Sequence, residues 1–204
     1  MNREGSIVLG MTRPHFSDLA VGLWERLTIR AAIVAGSRRA DRFDTFGAGS
    51  LICFPPTALF GEKAISIGSD TMIGPHCSIT VGMVPGQELI GERMLTIGDR
   101  CVVGRGSSIA AHLSVSIGDD VYFGPNVYVT DHNHSNDDPA LPVGRQASPE
   151  REVVIGARSW LATGVVVTPG VTIGTGVSVG ANSVVTRDLP DGCVAVGSPA
   201  RVIS

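Results

Sequence analysis

The chain has 204 residues, 26 of them glycine, with only 5% aromatic residues and a formal net charge of −3. That length supports one domain with a real core, a thin one given the scarcity of rings, and the charge gives no sign of nucleic acid or an anionic membrane as partner. No uncharged apolar run is long enough for a membrane span and no secretory signal is read, so a cytoplasmic protein with four reduced packing cysteines (Cys53, Cys77, Cys101, Cys193) is expected.

In chain order, residues 1–45 form an N-terminal segment around a helix. Phe16, Ala20, Leu23, Leu27, Ala31 and Val34 recur at steps of three and four, the spacing of one helix face. Ser17 or Asp18 is the expected N-cap and Gly36 the expected end. The apolar stripe is expected to dock on the rest of the chain or on a neighbouring subunit. Arg26, Arg30, Arg38 and Arg39 add peripheral contact with a membrane as the alternative. Residues 46–60 are expected to make an irregular first turn of the following domain.

From there to residue 204 an aliphatic or aromatic residue returns every six positions: Ile67, Ile73, Ile79; Ile97, Val103, Ile109; Ile117, Phe123, Val129; then Ile155, Leu161, Val167, Ile173, Val179, Val185. Neither a helix nor simple strand alternation repeats at six, whereas a short strand plus a turn does. Gly68, Gly98, Gly118, Gly156 and Gly174 recur at every third hexad, so the unit is three strand–turn sides that lift the chain one level per coil. The glycines are expected to supply positive φ at the turns. The position two before each repeated residue is small or β-branched (Thr71, Cys77, Cys101, Ser107 and their equivalents) and suits a crowded corner. The expected fold is an all-β solenoid of about five to six coils; an ordinary sandwich is the alternative.

Two stretches break the period. One, near Met83–Met94, is read as a short loop. The other, residues 131–152, begins DHNHSNDDP; its Pro and Asp content marks a protruding loop, and loops on a rigid scaffold are where sites lie. A milder two-residue excess between Ile109 and Ile117 contains His112.

The hexads, FGPNVYVTDHNHSNDDP before the loop, VVIGARSWLATGVVVTPGVTIG after it and the closing VGSPARVI resemble the hexapeptide-repeat acyltransferases, in the branch of galactoside, maltose and polysaccharide O-acetyltransferases. The similarity covers about residues 46–204. It implies a left-handed parallel β-helix assembled as a homotrimer, with acetyl-CoA as acyl donor in a groove between subunits and no metal. It also implies a loop histidine that deprotonates a hydroxyl of a sugar or glycan precursor. Imidazole suits that step because its pKa lies near the operating pH.

The family's spacing points to His134 as the base, with His132 the alternative. Asp131, Glu150 or a main-chain carbonyl would orient the ring. The resemblance places Trp160, Thr163, Ala181, Thr186 and Arg187 on CoA, and Arg187 or Arg201 near its phosphates. Subunit packing is the alternative role for Trp160. His112, Asn126 and Asp131 are the candidate acceptor contacts. Two departures put a galactoside acceptor in doubt: His112 stands where that branch has Asp, and Gly104 where it has Asn. N-acetylation is the closest rival reading. A gamma-type zinc carbonic anhydrase or a non-catalytic scaffold stands further off.

Overall fold

A computed structural model describes residues 16–204. It is a left-handed parallel β-helix. Three sheets form the sides of a triangular prism. Sheet I holds nine strands, from Ile33–Val34 through Met72–Ile73, Val102–Val103, Tyr122–Phe123 and Trp160–Leu161 to Arg201–Val202. Sheet II holds six, among them Ser78–Val81, Ser108–Ala111, Tyr128–Thr130 and Val184–Val185; sheet III holds six, among them Ile65–Ile67, Leu95–Ile97, Val115–Ile117 and Val153–Ile155. Each coil runs III, I, II, and the registers keep hexad residues in columns, as in Ile73↔Val103 and Ile109↔Val129.

The columns are the core. Ile67, Ile73, Ile79, Ile97, Ile109, Val129, Ile155, Leu161 and Val167 are all at most 1% exposed. Strand periodicity sends alternate side chains inward, and three inward columns fill a space too narrow for many rings. The small residues sit at the corners as expected, and their polar atoms are used. Thr71 Oγ1 donates to the Gly98 carbonyl at 2.7 Å, Cys101 Sγ to Gly118 at 3.1 Å, and Ser159 Oγ to Gly174 at 2.9 Å.

The periodic glycines do a different job from the one expected. Gly68, Gly98, Gly104, Gly118 and Gly156 are absent from the positive-φ positions. Those fall two residues later, at Asp70 (55°), Arg100 (54°), Gly106 (73°), Asp120 (57°) and Arg158 (60°). What requires glycine is approach between coils. A Cβ on Gly104 would lie 2.5 Å from the carbonyl carbon and oxygen of Gly124. No side chain fits at 104 without moving a coil. Gly104→Ala should lower the melting temperature by several degrees or more, since main-chain atoms cannot swing aside; an unchanged melting temperature would refute the reading.

The ends differ from expectation. The helix, α1, is Phe16–Ala31, so Ser17 and Asp18 lie in its first turn and Gly36 lies beyond it in a turn at φ 77°. None of its residues is buried, so the stripe does not dock on its own prism. The first coil is irregular in spacing but part of the prism: Thr45–Phe46, Leu51–Ile52 and Ala58–Phe60 each join a sheet. Ile33–Val34 pairs antiparallel with Leu51–Ile52, and Ile33, Ala40 and Phe43 join the core. Residues from Ile33 thus cap the prism instead of preceding it.

Candidate active site

Both large interruptions leave the prism at the corner where sheet II passes to sheet III. The chain there must turn without a hexad to guide it, so side chains set the path. The two-residue excess after Ser108–Ala111 turns because of Asp131, which lies one coil further on. That carboxylate is fully buried. It accepts hydrogen bonds from the backbone N–H groups of His112 (2.9 and 3.0 Å), Leu113 (2.7 Å) and Ser114 (2.8 Å). Three N–H donors suit an anion better than any neutral acceptor.

The same carboxylate lies 3.0 Å from Nδ1 of His132, which is also 3.0 Å from Thr130 Oγ1. His132 stacks face to face on His112, ring centroids 3.4 Å apart and 1° from parallel. His112 Nδ1 is in turn 3.5 Å from Glu150 Oε1. Burial, and then the neighbouring His132, press the His112 imidazole below its ordinary value; Asp131 and Glu150 pull the other way without reversing the sum. A histidine depressed by folding is neutral in both states above the unfolded pKa near 6.5, where its contribution to stability is complete. As pH falls below that value the unfolded chain takes the proton first and stability drops. The melting temperature should therefore fall between about pH 7 and pH 5, and His112→Asn should flatten that slope; an equal slope in the variant would remove His112 as its source.

His134 sits further out. The loop folds back so that His134 and Ala147 form an isolated antiparallel bridge, and His134 Nδ1 faces the Gln146 carbonyl at 3.3 Å. Gln146 fastens this hairpin: its side chain accepts from Asp138 N–H at 2.9 Å and donates to the carbonyls of Asp138 and Leu141 at 2.9 Å. With Nδ1 turned to a carbonyl, Nε2 of His134 is left as the acceptor atom of the ring.

These groups share one open cavity of about 550 Å³, lined by Met83, His112, His132, His134, Arg145 and Glu150 among others. The structure thus brings His112, His132 and His134 together, with Asp131 beneath them and out of reach of any acceptor. Sequence reasoning missed Met83 and Arg145. Met83 comes from the first interruption, whose Gln87, Leu89 and Ile90 line an adjoining pocket with His112 and Glu150. The only available signal was that both interruptions interrupt the same corner.

The other candidates lie elsewhere in the chain. Trp160 stands outward on sheet I, 49% exposed, between Tyr122 and Ser178. Thr163, Ala181 and Asn126 are exposed at the corner between sheets I and II, where Asn126 takes a left-handed φ of 59°; Asn tolerates that conformation. Thr186 and Arg187 are exposed below the histidine corner, and Arg201 is exposed on the last strand of sheet I. Among the described residues no three His, Cys, Asp or Glu side chains converge as a metal site requires.

Known proteins carry the same pattern. Residues 152–187 match the family described as "Bacterial transferase hexapeptide (six repeats)", and residues 94–131 the "Hexapeptide repeat of succinyl-transferase". The putative lipopolysaccharide biosynthesis O-acetyl transferase WbbJ of Escherichia coli is 36% identical over 144 residues, 67% of this chain and 74% of that protein. A probable acetyltransferase of Mycobacterium tuberculosis is 38% identical over 112 residues, 55% of this chain but only 37% of its own length. Among solved structures, the N-acyltransferase AntD of Bacillus cereus, in complex with dTDP and 3-hydroxybutyryl-CoA, superposes with a TM-score of 0.69. It is 21% identical, and the match covers 81% of this chain and 85% of that one.

Proposed function

The chain belongs to the hexapeptide-repeat acyltransferases, in their O-acetyltransferase branch, and from that premise we propose that it transfers acetyl from acetyl-CoA to a hydroxyl of a sugar or cell-envelope glycan precursor. His134 is the general base. Its Nε2 takes the hydroxyl proton, the oxygen attacks the thioester carbonyl, and the tetrahedral intermediate collapses by expelling the CoA sulfur, which leaves with the proton returned from the imidazolium. The observation that carries this reading is the His134 ring itself: exposed in the cavity, with Nδ1 turned to the Gln146 carbonyl at 3.3 Å. His132 differs in having Nδ1 engaged by both Thr130 and Asp131.

The position of Trp160 supports a shared groove. Sheet I is the prism side opposite the II–III corner, so within one chain Trp160 and His134 face apart. Both can touch one thioester only if a second copy supplies one of them, which favours a cyclic oligomer, here a trimer. On this reading Trp160 flanks the pantetheine arm, Thr163 and Ala181 follow that arm along the next corner, and Arg187 and Arg201 meet the phosphates. His112 takes the role of acceptor contact. Its neutral ring, held beside Glu150, can bond a sugar hydroxyl.

The relative called an O-acetyl transferase favours oxygen over nitrogen as the acceptor atom. The deciding experiment is a screen of hydroxyl and amine acceptors with thiol release as readout. A sugar hydroxyl should be the best acceptor, and Trp160→Ala should raise the Michaelis constant for acetyl-CoA with little change for the acceptor. Preference for an amine would reverse the assignment, and an unchanged Michaelis constant would return Trp160 to a packing role.

A further inference from the structure

The helix α1 (Phe16–Ala31) is amphipathic yet buries nothing. Phe16, Ala20, Leu23 and Leu27 lie along one face, with Leu19 and Trp24 at its borders. Phe16 is 86% exposed, Leu23 61%, Trp24 56% and Leu27 51%. The side of the helix turned to the prism is a different one: Thr28 and Ile29, with Ala32 just beyond, line a groove against Val34, Leu51, Phe54 and Pro75. The apolar stripe therefore points away from its own prism.

Charge is distributed around the stripe in a definite way. Asp18 and Glu25 fall on the opposite face, while Arg26 and Arg30 run along the Leu19 border. From residue 16 to residue 42 there are five arginines against three acidic residues, in a chain whose net charge is −3. Arg42 is paired with Glu62, and within α1 the count is two arginines against two acids, so it is their placement that counts. A stripe of Leu, Phe and Trp bordered by arginines, with acids on the far side, is complementary to an interface of acyl chains below and anionic headgroups beside them. A second copy of this chain would offer apolar contact, but its acidic balance gives no reason for arginines to follow only the stripe.

We propose that α1 is a membrane-surface anchor that lays its Phe16–Leu27 stripe on an anionic lipid bilayer. No described helix is long and apolar enough to cross a membrane, and the contact proposed is of a helix lying along the surface. It holds the first-coil end of the prism at the bilayer. The proposal stands apart from the acetyl transfer reading, because it can be tested without an acceptor.

The test is flotation of the full chain with vesicles of phosphatidylcholine containing phosphatidylglycerol, against vesicles of phosphatidylcholine alone, with light scattering in parallel. The unmodified chain should float with the anionic vesicles and lose this at high salt. Leu23→Glu with Leu27→Glu should abolish flotation without changing oligomeric state. Arg26→Gln with Arg30→Gln should weaken it on the order of tenfold. The core is untouched in both variants, so folding is preserved. Failure of the unmodified chain to float, or flotation indifferent to both pairs, overturns the proposal. So does a change of oligomeric state in the glutamate variant, which would make the stripe a contact between subunits.

Discussion

Replacing His134 by alanine should leave folding and CoA binding intact and slow acetyl transfer at least about 100-fold, the usual contribution of a positioned general base. The residue is exposed, and the loop that carries it is fastened by three bonds of the Gln146 side chain, to which the imidazole adds one 3.3 Å contact with the Gln146 carbonyl. The substitution therefore removes a proton acceptor and little else. An alcohol stays protonated at neutral pH, so without that acceptor the attacking oxygen must lose its proton to water while it attacks. Single-turnover kinetics with saturating acetyl-CoA separates this step from binding. Full activity in His134→Ala together with a dead His132→Ala would transfer the role to the inner ring.

Asp131→Ala should produce the second large effect, on stability and activity at once. The carboxylate closes the turn at His112–Ser114 by accepting three N–H groups, and it holds His132. Alanine would leave three donors in a fully buried place with nothing to accept them. Each such donor costs roughly 1–3 kcal/mol, and a cavity large enough for water would lower the sum to about 3–5 kcal/mol. At this chain length that is on the order of 10 °C in melting temperature. Asp131→Asn keeps the shape and one acceptor oxygen, so it should unfold between the two. Its acetyl transfer should still fall and its pH–rate profile shift, because the carboxylate charge that raises the His112 imidazole beside the acceptor is gone. A purely structural Asp131 would show the loss of stability with an unmoved pH profile.

The solenoid was readable because its cause is local and repeated. One buried residue in every six, a glycine at one or two of the three corners and one small residue before each strand are conditions each coil sets on its own segment. The meaning of the glycines was not readable in the same way. Gly68 and Gly104 look like turn formers in the sequence, yet the left-handed residues are Asp70 and Gly106. What the glycines avoid is the main chain of the next coil, a contact between residues about twenty to thirty apart. The end of α1 was misjudged for a related reason. The apolar spacing continues to Val34, but Ile33–Val34 is taken by a strand against Leu51–Ile52, and tertiary pairing overrides helical periodicity.

The candidate site shows the same division. That histidines near residue 132 belong to an interruption of the coil is plain in the sequence. Their differences are not: His132 and His134 are two apart in one loop, yet one stacks on His112 at 3.4 Å over a buried carboxylate while the other bridges to Ala147. In the sequence Asp131 is open to two roles, acceptor contact or orienting partner of a histidine ring. Burial leaves it holding the His132 ring and the main chain of His112–Ser114.

The sequence by itself determined the coil, its period and the places where it breaks, because hydrophobic burial at fixed spacing is enforced within each short segment. Only the tertiary structure decided which glycines face backbone, which carboxylate anchors the turn and which imidazole remains open. Those outcomes depend on what the coil above and the coil below place at the same corner, and no spacing along a single strand carries that information.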